Sequence, residues 1–192
     1  MEANSRLTGS TAAVLLVLFA IEGITILRIG PLLGPHVFIG MLLVPPVLLK
    51  MSSTGYRFTR YYLGAPGYRR KGPPAPLLRL LGPFVVILTL VVLGSGIALL
   101  VAPISLRAGL FRLHQASFVL WFGAMVVHVL AHLLETARLA PRDYYWRTRR
   151  QVAGAGLRQW TIAASLGVGV ILGALLLPKA GTYFSHLSVL HP

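Results

Sequence analysis

The chain has 192 residues, 56% of them hydrophobic and 11% charged, with a mean hydropathy of +0.76. Soluble domains carry roughly a quarter charged residues and disordered chains are poor in apolar ones, so both classes are excluded. The formal charge of +14 is explained without nucleic acid, because membrane proteins concentrate Lys and Arg in their cytoplasmic loops.

Five apolar segments follow one another: Thr11 to Leu27, Leu33 to Leu49, Leu80 to Val101, Leu110 or His114 to Leu134, and Leu157 to Leu177. Each is long enough to cross a hydrocarbon core at about 1.5 Å per residue, which predicts an all-α integral membrane protein. The first is read as a retained helix, since no small-residue cleavage site follows it. Residues 1–134 form a four-helix bundle in this reading, 135–156 a basic cytoplasmic loop, and 157–192 the fifth helix and an outer tail. The stretch from Ser52 to Pro76, rich in Tyr, Arg, Gly and Pro, is expected to lie on the membrane surface as a loop.

Charge sets the expected orientation. With the N-terminus inside, only Arg28, Arg107, Arg112 and Lys179 of the 18 basic residues fall outside. The rest fall inside, most of them in the two long loops: Lys50, Arg57, Arg60, Arg69, Arg70, Lys71 and Arg79 in one, and Arg138, Arg142, Arg147, Arg149, Arg150 and Arg158 in the other. That asymmetry predicts a cytoplasmic N-terminus and an extracytoplasmic C-terminus.

Without cysteine, disulfides, thiolate metal sites and cysteine-held iron–sulfur clusters are ruled out. A metal or cofactor would depend on histidine first. His186 and His191 fall in the tail, whereas His36, His114, His128 and His132 fall on the second and fourth segments, which run in the same direction. His36 and His114 both lie near the outer start of their helix, so they share a depth. His114 and His128 are 14 residues apart. That spacing turns a helix by about 1400°, some 40° short of four turns, and separates the two rings by about 21 Å on one face. Gly9 and Gly23 on the first segment, and Gly82 and Gly96 on the third, repeat the spacing of 14. A flat macrocycle wedged between helices needs such missing side chains at its edge.

Helices bearing His-x13-His, alternating with helices bearing Gly-x13-Gly, resemble the membrane di-haem b-type cytochromes, such as the cytochrome b subunits of respiratory complexes, dehydrogenases and hydrogenases. The resemblance covers Gly9 to Leu134. It implies that His36 and His114 are the axial ligands of an outer haem b, packed by Gly23 and Gly96. It implies His128 as one ligand of an inner haem near Gly9 and Gly82. The position 14 residues beyond His36 is Lys50, where the family has histidine. One haem is therefore expected, and a second requires Lys50, Met51 or His132 opposite His128. Arg28, Arg107 and Arg112 lie on the outer side, where haem propionates would emerge.

Glu22 is the one carboxylate inside an expected span, a candidate either for passing protons to a quinone or for a hydrogen bond to a neighbouring helix. No nucleotide-binding glycine fingerprint is present, so a nicotinamide donor is not expected for the chain alone. The expected function is non-catalytic electron transfer between a quinone pool and an extracytoplasmic redox partner, in the plasma membrane and alongside other redox subunits. The alternative is a haem-free membrane anchor or assembly subunit, which Lys50 in the fourth ligand position favours. A proton-coupled transporter using Glu22 and His128 is a third reading, but the chain lacks the paired inverted segments common in transporters.

Overall fold

A computed structural model describes residues 2–70, 76–144 and 154–188. These residues form α1 (Glu2–Leu27), α2 (Ile29–Tyr62), α3 (Pro66–Arg70), α4 (Pro76–Val101), α5 (Ile104–Tyr144) and α6 (Ala155–Ser188), with no strand among them. All but α3 are long and apolar enough to cross a bilayer. The choice of helix follows from the solvent: in hydrocarbon each backbone N–H and C=O must be satisfied within its own segment. The outward faces of these helices carry Ile24, Leu90, Val119 and Ile171, each at least half exposed, which water would penalise and lipid accepts.

Breaks of one or two residues, at Arg28 and at Ala102–Pro103, fold α1 back onto α2 and α4 back onto α5. Around the bundle, α2 packs on α1, α1 on α5 and α5 on α4, with light contact from α4 back to α2. The helices carrying His36 and His114 therefore stand diagonally across the bundle. α6 lies outside, along α2. The core has three apolar clusters. Val37, Met41, Leu100 and Ala180 join α2, α4 and α6; Leu15, Leu43 and Val47 join α1 and α2; Leu88, Val92 and Trp121 join α4 and α5.

The helices overrun their expected ends. α2 has 34 residues, about 51 Å at 1.5 Å per residue, against a hydrocarbon core of about 30 Å. The first part of the expected Ser52–Pro76 loop is thus helical, as far as Tyr62. Tertiary contacts hold this extension to α1: Asn4 Nδ2 donates to the Ser53 carbonyl at 2.9 Å, and the Thr8 and Ser53 hydroxyls meet at 2.8 Å. Pro35, Pro45 and Pro46 sit within the helix without ending it; membrane helices tolerate proline because neighbouring helices and hydroxyl side chains re-satisfy the freed backbone groups. The stop comes at Gly64, in the left-handed region at φ 80°, where the Ala65 amide donates back to the Arg60 carbonyl. Likewise α5 runs on to Tyr144, so Arg138 and Arg142 fall on a helix and not in the expected 135–156 loop. Lys71, Arg147, Arg149, Arg150 and His191 lie outside the described residues, and His186 falls on the last turns of α6.

α6 approaches α2 through two glycines four residues apart. A Cβ on Gly169 would stand 2.6 Å from the Leu42 carbonyl oxygen, and one on Gly173 would stand 2.7 Å from the Phe38 ring. Close backbone approach over small residues is the usual glue between membrane helices. Because backbone cannot rotate out of the way, Gly169→Ala is expected to destabilise the detergent-solubilised protein by about 1–3 kcal/mol. Gly167, whose Cβ would meet nothing within 4 Å, is the control. Its alanine variant should be neutral or stabilising by about 0.5–1 kcal/mol in the same thermal or denaturant unfolding measurement.

Candidate functional site

His36 and His114 meet. The His36 and His114 ring centres are 6.4 Å apart, with their planes inclined at 77°. Two metal–imidazole bonds of about 2.0 Å, with roughly 1.1 Å from each nitrogen to its ring centre, separate two axial rings by about 6.2 Å. The observed ring-centre distance of 6.4 Å is thus close to the separation of two imidazoles on one metal.

Each ring is held by its Nδ1. His114 Nδ1 lies 3.0 Å from the Val92 carbonyl oxygen and 3.1 Å from Ser95 Oγ. A carbonyl only accepts, so the proton sits on Nδ1 and the Nε2 lone pair is left available. His36 Nδ1 lies 3.0 Å from Glu22 Oε1 and 3.0 Å from Thr25 Oγ1. The Thr25 hydroxyl donates to the Glu22 carbonyl at 2.6 Å, which leaves its oxygen to accept from the ring. Nε2 of neither ring takes a hydrogen bond among the described residues. A histidine that ligates metal through one nitrogen typically anchors the other on a carboxylate or backbone carbonyl. These two rings show both forms of anchor.

Local sequence explains the convergence. Glu22 and His36 are each seven residues from Ile29, where α2 begins after the turn, so the hairpin brings them to one level. Thr25, three residues after Glu22, shares its face and is buried. Gly40, one turn beyond His36, leaves room for the carboxylate: its Cβ would lie 3.4 Å from Glu22 Oε1. Thr25, Gly40, Val92 and Ser95 are the participants that sequence reasoning missed. The available signals were the three-residue step from Glu22 to Thr25 and the serine beside Gly96.

The glycines divide. A Cβ on Gly96 would sit 3.1 Å from His114 Cε1, so this glycine makes room for the imidazole, where the sequence suggested a macrocycle edge. Gly23 and Gly82 face open space, while Gly9 is buried. Arg28 and Arg112 are exposed at the end of the bundle nearest the His36–His114 pair, and Arg107 Nε donates to the Ala102 carbonyl there at 3.2 Å.

The opposite end of the bundle differs. His128 has another ring of its own helix beside it, His132, with centres 4.8 Å apart, and Lys50 lies within electrostatic reach. Lys50 Nζ is 3.5 Å from the Thr8 carbonyl oxygen, at the long limit for a hydrogen bond. Met51 packs against the Leu15, Leu43 and Val47 cluster. No imidazole from α2 opposes His128. Between the two ends, Trp121 packs against Phe19 with ring centres 5.0 Å apart and planes inclined at 58°, and donates through Nε1 to Thr89 Oγ1 at 2.9 Å. Among the described residues, no three His, Cys, Asp or Glu side chains cluster, so the protein alone does not encircle a bare metal ion. A pair of axial imidazoles suits a metal whose other ligands come from a macrocycle. Comparison with family models, curated proteins and solved structures returns no match to this chain, so the site stands on its own geometry.

Proposed function

We propose that the chain is a haem b electron-transfer protein of the plasma membrane, or the cytochrome b subunit of a larger redox enzyme, with haem held by His36 and His114. The observation that carries this reading is the pair of imidazoles at 6.4 Å, each anchored through Nδ1. A haem bound there supplies one-electron transfer between partners. The chain's own residues fix the ligands, exclude water with the aromatic packing of Phe19, Phe118 and Trp121, and offer Arg28 and Arg112 to the propionates. Quinone on one side and an extracytoplasmic redox partner on the other are the proposed electron-exchange partners.

The test is colour. Protein purified after expression with ample haem should give a reduced-minus-oxidised spectrum of a low-spin b-type haem, with one haem per chain. A colourless protein that also fails to take up added haemin overturns the reading. That result would favour the second one, a haem-free anchor subunit, for which Lys50 in place of a fourth histidine is the specific observation.

The proposed orientation places His36 and His114 on the extracytoplasmic side and the overhanging, Arg-bearing end of α2 in the cytoplasm. A reporter fused after Pro192 should therefore behave as extracytoplasmic and one inserted at Gly67 as cytoplasmic, with the opposite pattern expected for an inverted protein.

A further inference from the structure

We propose that Glu22 is a positioning residue: its carboxylate, seated over Gly40, takes the Nδ1 proton of His36 in a hydrogen bond, and so fixes the tautomer and raises the donor strength of that one axial imidazole. The proposal rests on the haem reading above. Its basis is an asymmetry between the two rings. His114 is anchored by a backbone carbonyl, a neutral acceptor that the Val92 side chain does not determine. His36 is anchored by a side-chain carboxyl oxygen 3.0 Å away, an acceptor that a single substitution removes. An intramembrane carboxylate is costly to keep, and here it is largely enclosed, at 13% side-chain exposure. Three features hold it in place. Thr25 Oγ1 stands 3.3 Å from Glu22 Oε2 and 2.6 Å from the Glu22 carbonyl oxygen, and Gly40 leaves the space into which Oε1 fits.

Hydrogen bonding of a ligating imidazole to a carboxylate increases the basicity of the ligand and favours the higher oxidation state of the metal. Glu22 would thus set the potential of the haem from outside its ligand sphere, while touching neither iron nor macrocycle.

The experiment compares Glu22→Gln and Glu22→Leu with the native protein by potentiometric titration, haem-transfer kinetics, and nitrogen NMR of the His36 ring in haem-free protein. Gln keeps an acceptor for Nδ1 but removes the charge, so haem should stay bound with a higher midpoint potential. Leu removes the carboxyl acceptor and leaves only the Thr25 hydroxyl to Nδ1, so haem affinity should fall about 10- to 100-fold, and the preference of the haem-free ring for the Nδ1–H tautomer should weaken. A structural role alone would lower the unfolding temperature of both variants and leave the potential of Glu22→Gln unchanged. Unchanged potential, affinity and tautomer in a protein that does bind haem overturn the assignment of Glu22 and leave the haem reading intact. A native protein that binds no haem, with the His36 tautomer unaffected by Glu22→Leu, overturns both.

Discussion

Replacing either His36 or His114 with alanine is expected to abolish the haem spectrum, while His128→Ala and His186→Ala leave one haem per chain. The expectation follows from the proposed ligation, in which each ring would supply one of the two protein bonds to the iron. Glu22, Thr25 and Ser95 are the polar side chains beside the rings; they meet the Nδ1 side of each ring, and the two hydroxyls donate to backbone carbonyls. A vacated position leaves an open coordination site in an apolar bundle, and a five-coordinate haem that does persist would be high-spin, which its absorption and electron paramagnetic spectra distinguish. Both variants should still fold. His36 and His114 are half-buried and lie outside the three apolar clusters that carry the packing. Retention of an unaltered low-spin haem in both variants would remove these two histidines from the ligand set.

The depth of those rings was legible in the sequence because depth along a helix follows from counting residues, and two parallel spans with His near the same end give one level. Azimuth was not. Whether Glu22 points at His36, or Gly96 at His114, depends on the rotation of α1 and α4 about their axes, and the all-round apolar character of membrane spans leaves no polar face to fix it. Helix ends were also hidden. The continuation of α2 to Tyr62 depends on Asn4 and Thr8 meeting Ser53, contacts 49 and 45 residues apart in sequence, whereas local Gly, Tyr and Arg composition suggested a surface loop. The glycines of α6 escaped notice because Gly169 and Gly173 stand in a segment with three more glycines, and only the packing against α2 distinguishes those that must be small.

The native protein should carry one haem and Lys50→His two. Lys50 stands where a fourth histidine would complete the inner pair, at the level where α2 meets the start of α1. An ammonium group has to lose a proton before its nitrogen can donate to iron, whereas a neutral imidazole carries its lone pair ready. The other participants are present. His128 projects from α5 within electrostatic reach of position 50, and Gly82 faces open space on α4. The continuity of α2 through Pro45 and Pro46 keeps position 50 on the helix that already carries His36. Haem content per chain, measured after saturation with haemin, should rise from one to two in the variant, and a further His128→Ala change should return it to one. Two haems in the native protein would instead identify Lys50 or His132 as an unusual ligand. One haem in both would place the obstacle in the polar contacts of Asn4 and Thr8 with Ser53, which draw the inner ends of α1 and α2 together where the second macrocycle would have to enter.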